Sequence, residues 1–182
     1  MKEIRIHGRG GQGSVLAGEI IIAALVREGK SGSSFPSFGF ERRGAPVTAF
    51  VRISNVPIKE RTQIYEPDCL IVLDPVQIKW PQTYSGIKPN STIILNSTNI
   101  ELERPHKNVD SAGIIDATRI ALQEIGRDAV NTCLLGAFAA TTGWVNLESL
   151  VAVLGNYFGQ NIVDKNVRCL RRGYEEVNIK TW

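Results

Sequence analysis

Near the start of the chain, Ile4 and Ile6 alternate with Glu3, Arg5 and His7, the period of a half-buried strand. After Gly13 the period changes. Val15, Leu16, Ile20, Ala23, Ala24 and Val26 recur at helical spacing up to Gly29, which reads as a C-terminal stop. Residues 45–53 (APVTAFVRI) are rich in β-formers and predict a strand, with a hairpin return over residues 55–58. DCLIVLD, residues 68–74, is a continuous apolar run ending in Asp-Pro, the pattern of a buried parallel strand. Pro75 suits the first turn of a helix, and Pro81 bounds that segment. STIILNS, residues 91–97, repeats the apolar run and ends in Asn96.

GIIDATRIALQEIG predicts a helix with Ile114, Ala117, Ala121, Leu122 and Ile125 on one face and Gly126 as its stop. NTCLLGAFAATTG is apolar nearly all round, with small residues at Gly136, Ala137, Ala139 and Ala140, so it predicts a buried, closely packed helix. LESLVAVLGNYFG predicts another helix, and NVRCLRRGYEEVNIK a last one on the surface. A strand, a helix, several strands and then helices, without repeat or linker, predict one Rossmann-like α/β domain over residues 1–182. Its central sheet is mostly parallel, with helices on both faces. Two apolar strands end in Asp or Asn, where open α/β sheets receive ligands.

The join between the first strand and helix is GRGGQG, in which Gly8, Gly10 and Gly13 fit G-x-G-x-x-G. Glycine permits tight turns and lets a phosphate approach the backbone. The free N–H groups of the helix's first turn, near Gly13 and Ser14, point at such a ligand, and the helix dipole favours negative charge. A tight turn that binds nothing is the plain alternative. A nicotinamide dinucleotide does not fit. It asks for Asp or Glu about 20 residues past the glycines, where Ser31, Gly32, Ser33 and Ser34 stand. Glu41 comes late, flanked by Arg42 and Arg43. No G-x-x-x-x-G-K-[ST] loop supports nucleotide hydrolysis.

The 182 residues suffice for a sizeable core, and the hydrophobic fraction of 43% excludes wholesale disorder. A net charge of +3, without a polybasic tail or aromatic-and-basic ladder, gives no support for nucleic acid. The longest apolar stretch, IIIAALV, is too short to cross a bilayer, and no signal peptide is expected. Cys69, Cys133 and Cys169 are scattered, without a C-x-x-C pair, so neither an iron–sulfur cluster nor structural zinc is expected on this chain. Cys69 and Cys133 are expected to be buried and inert, which fits the cytoplasm. His7 stands beside the glycines, either as a ligand group or as an ordinary strand-end histidine.

FPSFGFERRGAPVTAFVRIS is the most unusual stretch, joining an aromatic pair and two adjacent arginines to a strand. Together with GRGGQG, DCLIVLDP and LLGAFAATTG, it resembles the gamma subunit of the pyruvate:ferredoxin oxidoreductase family, the 2-oxoacid:acceptor oxidoreductases. The likeness runs from Met1 to Glu176, and the RRGAPV form is similar to the pyruvate or branched-chain branch. The resemblance implies a multi-subunit enzyme of the EC 1.2.7 type, not catalytic through this chain alone. Such enzymes decarboxylate a 2-oxoacid oxidatively with coenzyme A, giving acyl-CoA, CO₂ and reduced ferredoxin. Thiamine diphosphate and [4Fe–4S] clusters lie on partner alpha, beta and delta subunits or fused equivalents, and this chain is linked to coenzyme A binding. It is expected to bind no cofactor alone, no nucleic acid and no membrane.

The implied binding residues are Gly8, Gly10, Gly11, Gln12, Gly13, Arg42 and Arg43. Backbone amides of Gly11, Gln12 and Gly13 would hold the pyrophosphate, and Arg42 or Arg43 a phosphate with paired hydrogen bonds. The arginines alternatively pair with acidic residues of a partner chain. Gln12 either polarises a ligand oxygen or fills the turn. Phe35, Phe38 and Phe40 either stack on adenine or pack against a partner or under the loop. The other functional readings are a structural subunit of the same complex with a vestigial nucleotide loop, and a free-standing nucleotide-binding protein.

Overall fold

A computed structural model describes residues 1–37 and 44–182. Alternating apolar residues build β1 (Lys2–Arg9), an interior strand of a seven-stranded sheet. The chain then forms α1 (Ser14–Arg27), β2 (Ser31–Pro36), β3 (Pro46–Ser54), β4 (Cys69–Val72), β5 (Ser91–Asn96) and β6 (Val109–Ile115). Helices α2 (Ala117–Glu124), α3 (Asn131–Thr142), α4 (Leu147–Val153) and α5 (Gln160–Glu176) follow, and β7 (Asn178–Thr181) closes the chain. The strand order is β2-β3-β1-β4-β5-β6-β7. The middle pairs β1–β4, β4–β5 and β5–β6 are parallel. Both margins are antiparallel, through β3–β1 and β2–β3 on one side and β6–β7 on the other.

The two faces of the sheet are covered differently. Ile4, Ile6, Cys69, Ile71 and Ile94 face the main core with side chains from α1 to α5. Leu70, Val72, Ile93, Leu95 and Ile114 face a second, smaller core. Its cover includes Tyr84, Ile87 and Ile78, from the 3-10 helices Pro75–Lys79 and Pro81–Tyr84 and the loop beyond. The α-helices thus lie on one face and short 3-10 helices on the other.

Helix α3, buried on all sides as its composition predicts, crosses α5 at two glycines. A Cβ on Gly136 would fall against the Leu170 carbonyl, and one on Gly173 against the Cys133 carbonyl. Backbone therefore touches backbone, which is what the small residues of α3 are for.

Several expectations are corrected. The Ser/Gly-rich stretch after Lys30 is the edge strand β2, paired with β3 from Ser31↔Ser54 to Pro36↔Ala49. The hairpin partner of β3 thus precedes it, and residues 55–58 form no strand. Gly113 to Ile115 belong to β6, so the helix read from GIID starts only at Ala117, capped by Asp116. Leu122, expected on its buried face, is exposed. Asn178 to Lys180 leave α5 and form β7. Strand β1 runs on through Gly8 and Arg9 rather than ending at His7.

Candidate functional site

The parallel strands β1 and β4 are neighbours, but their chains leave in opposite directions. From β1 the chain enters α1 over the main core, and from β4 it enters a 3-10 helix over the second core. That divergence marks the switch point at the carboxyl ends of the two strands, where an open α/β sheet keeps its crevice for ligands. The GRGGQG turn forms one lip, and Asp74, just after β4, forms the other.

Gly11 and Gly13 have φ of 98° and 82°, a backbone region that L side chains resist. Gly8 has no room for a side chain, because a Cβ there would meet the Ser14 hydroxyl and Gln12 Oε1. The Arg9 amide donates to Gln12 Oε1 at 2.8 Å, so Gln12 braces the turn. The Gln12 amide, expected to face a ligand, donates instead to the Arg9 carbonyl at 3.0 Å. The Gly10 amide is also engaged, donating to Ala45.

The amides of Gly11, Gly13, Ser14, Val15 and Leu16 find no acceptor among the described residues. Gly13 caps α1 without a side-chain bond, so the positive end of the helix dipole lies open here. The Ser14 hydroxyl is buried and lacks a partner among the described residues. Asn131, the first residue of α3, packs against Gly13, so the N-termini of α1 and α3 converge on one turn.

Sequence reasoning missed Ser14 as a side chain, Asn131, and the ion pair that crosses the crevice. Arg9 Nε donates to Asp74 Oδ2 at 2.5 Å, and Arg9 Nη1 to the Gly44 carbonyl at 3.2 Å. Asp74 Oδ1 also accepts from the Val76 amide, capping the 3-10 helix. Asn96, the other strand-end candidate, is fully used inside the fold. Its Nδ2 donates to the Leu73 carbonyl and Thr118, while its Oδ1 accepts from the amides of Ala117 and Thr118.

Phe38, Phe40, Arg42 and Arg43 lie outside the described residues. The chain re-enters at Gly44, whose amide donates to the Gly10 carbonyl at 3.3 Å. Phe35 packs on Phe50, ring centroids 5.3 Å apart, with the Arg52 guanidinium 5.8 Å from its own ring centre. It is therefore part of the sheet surface. His7 points away from the glycines, towards the second face. Burial and the charge of Arg5 push its imidazole down to about 3, so it is neutral at physiological pH. Cys69, Cys133 and Cys169 are all buried free thiols. Burial raises the pKa of each, that of Cys169 to about 11. Among the described residues, no three His, Cys, Asp or Glu side chains gather to hold a metal ion, and no helix is long and apolar enough to cross a membrane.

The chain is 44% identical to the pyruvate/ketoisovalerate oxidoreductases common subunit gamma of Pyrococcus furiosus, over 98% of each chain. It is 46% identical to the gamma subunit of NADH-dependent phenylglyoxylate dehydrogenase of Aromatoleum evansii, over 98% of this chain and 95% of that one. The crystal structure of pyruvate oxidoreductase subunit PORC from Thermotoga maritima superposes with a TM-score of 0.85 at 36% identity, covering 98% of both chains. Residues 3–176 match the family described as pyruvate ferredoxin/flavodoxin oxidoreductase. With that match spanning β1 to β6, the glycine turn and the α3–α5 pair alike, the chain belongs to the pyruvate ferredoxin/flavodoxin oxidoreductase family.

Proposed function

We propose that this chain is the gamma subunit of a thiamine-diphosphate-dependent 2-oxoacid:ferredoxin oxidoreductase, and that its β1–α1 turn receives the pyrophosphate of coenzyme A. The observation that carries this reading is the set of open amides at Gly11, Gly13, Ser14, Val15 and Leu16, where two helix N-termini meet. Oriented N–H dipoles in a crevice suit a dianionic group without requiring an acid, a base or a metal from this chain. Gly8, Gly10 and Gln12 shape the turn, while Gly11 and Gly13 present amides. Arg42 or Arg43 supplies the charge, being joined to Gly44, which the turn holds through Gly10.

Decarboxylation and electron transfer are assigned to thiamine diphosphate and [4Fe–4S] clusters on alpha, beta and delta subunits in the cytoplasm, with ferredoxin as acceptor. The three thiols here are buried, and no three of the described His, Cys, Asp or Glu side chains gather, which supports placing the clusters on other chains. Pyruvate is the expected oxoacid. This chain does not select it, since relatives of nearly equal likeness are named for pyruvate and ketoisovalerate together and for phenylglyoxylate.

The test is steady-state kinetics on the reconstituted complex, varying coenzyme A and oxoacid separately. Gly11→Val leaves packing alone, because nothing lies within 4 Å of a Cβ there, but it opposes φ of 98° and intrudes on the phosphate position. The expected outcome is a rise of about tenfold to a hundredfold in the KM for coenzyme A, with the KM for oxoacid unchanged. A variant that assembles normally and keeps its dependence on coenzyme A makes the turn structural.

A further inference from the structure

On the face of the sheet away from the α-helices, the second core covers β4, β5 and β6. Over β1 and β3 the cover is incomplete, leaving a cavity of about 440 Å³. Its base holds Arg5 and His7, the residues of β1 that alternate with the core-facing Ile4 and Ile6. Phe50, Trp80 and Tyr65 form apolar walls, and Gln77 and Thr83 stand beside Arg5. None of the described lining residues is Asp or Glu.

Arg5 is only 8% exposed. Its Nη2 donates to the Thr83 carbonyl at 3.0 Å, and its Nε has no partner among the described residues. No carboxylate among those residues pairs with it, whereas the neighbouring Arg52 has Glu3 and Arg9 has Asp74. Arginine is almost never buried unless paired, because desolvating an uncompensated guanidinium costs several kcal/mol. Burial accordingly lowers the pKa of Arg5 to about 10. His7 stays neutral and adds no second charge. The cavity is far larger than an inorganic anion, and its aromatic walls suit an organic body attached to the anionic group.

We propose that this cavity is a binding site for an oxyanion-bearing organic ligand, whose phosphate or carboxylate group pairs with Arg5 while its body lies against Trp80 and Phe50. The site is separate from the glycine turn. Gln77, which donates to the Gly8 carbonyl at 2.7 Å, forms the wall between them. The inference does not depend on the coenzyme A reading.

Inorganic phosphate and sodium acetate are the probes, each titrated into the full chain at constant ionic strength. Binding is read from the thermal midpoint and from tryptophan fluorescence, since Trp80 lines the cavity. At least one anion should bind saturably to the wild type. Response to phosphate alone identifies a phosphate ester as the ligand class, and response to acetate alone a carboxylate.

Arg5→Met should weaken binding about tenfold to a hundredfold, as expected for loss of a charge-assisted contact. Arg5→Lys should retain the charge but bind less tightly, because it lacks the planar fork. If Arg5→Met does not fold, the lysine variant decides. In Gly11→Val the saturable Trp80 fluorescence response should persist, even where phosphate at the glycine turn no longer adds to the thermal midpoint. The proposal is overturned if neither anion binds saturably, if binding survives in the arginine variants unchanged, or if Gly11→Val abolishes it.

Discussion

Replacing either glycine at the α3–α5 crossing separates the two helices by a calculable distance. A Cβ at Gly136 would lie 1.9 Å from the Leu170 carbonyl oxygen, and one at Gly173 would lie 1.9 Å from the Cys133 carbonyl oxygen. Ordinary contact begins at 3.4 Å, so the helix axes must part by about 1.5 Å locally. The obstacle is backbone inside two helices, so no side chain can rotate out of the way. Overpacking of this kind costs about 3 kcal/mol, at the upper end of its usual range, because the parted helices also lose dispersion contacts along the seam. Alanine's better helix propensity offsets about 1 kcal/mol. The net loss for Gly136→Ala or Gly173→Ala is then about 2 kcal/mol, or about 4–8 °C in Tm for a chain of this size. Both substitutions open the same gap, so the double variant should lose less than the sum. Gly155→Ala is the control. A Cβ there has nothing within 4 Å, and stability should be held or raised by about 0.5 kcal/mol. Thermal and urea unfolding of the four variants measures all of this. If Gly136→Ala and Gly173→Ala unfold within a degree of the wild type, backbone contact at this crossing is not what holds the helices together.

Two other outcomes follow from buried titratable groups. His7 is held near a pKa of about 3 when folded, against about 6.5 unfolded. Between those values the unfolded chain binds the extra proton, so stability should fall as pH drops from about 6.5 towards 3, by up to about 1.4 kcal/mol per unit. His7→Gln should remove that part of the slope in urea titrations from pH 7 to 4, and an unchanged slope would show that His7 is not the group responsible. All three thiols are buried with raised pKa values. Iodoacetamide should therefore label none of them in the folded chain and all of them in urea, and rapid native labelling of any one would contradict its placement.

The elements legible in the sequence are those whose pattern is long and unmixed. α1 shows a clean helical period after the glycines, and α3 ends at Gly143 with φ of 64°, as its terminal glycine indicates. Failure came where two elements share one apolar run. GIID carries β6 into α2 without a break in hydrophobicity, and a short apolar run does not distinguish strand from helix. β2 was hidden by composition. SGSSFP has few β-formers, and pairing with β3 decides its conformation. Within the site, glycine spacing shows the turn because backbone geometry is local. The Arg9–Asp74 pair and the Asn131–Gly13 contact join residues far apart in the chain, and neither residue type nor spacing reveals them. Arg5 shows how alternation misleads. A polar residue opposite Ile4 and Ile6 suggests solvent, yet this face of β1 lies beneath the 3-10 helices, and the guanidinium is buried.

Charge at the crevice constrains how the turn can work. Arg9 is the cation nearest the open amides in sequence, but Asp74 and the Gly44 carbonyl already engage its guanidinium. Asp74 is in turn held by the Val76 amide, so the pair is locked at both ends. An arginine paired with a carboxylate contributes little net charge to a ligand beside it. Releasing it would leave a largely buried Asp74 uncompensated, which costs more than a new phosphate contact returns. Arg9 therefore acts as a strut that fixes the two lips of the crevice. The described part of the turn offers dipoles rather than charge, and dipoles at helix ends contribute on the order of 1 kcal/mol each where solvent is near. That is too little to hold a doubly charged pyrophosphate tightly against the loss of its hydration. On the coenzyme A reading proposed above, the remaining charge would come from Arg42 or Arg43, or from a partner surface that excludes water when the complex assembles. On that reading, either source would make the turn a half-site, shaped by this chain and completed by what closes over it.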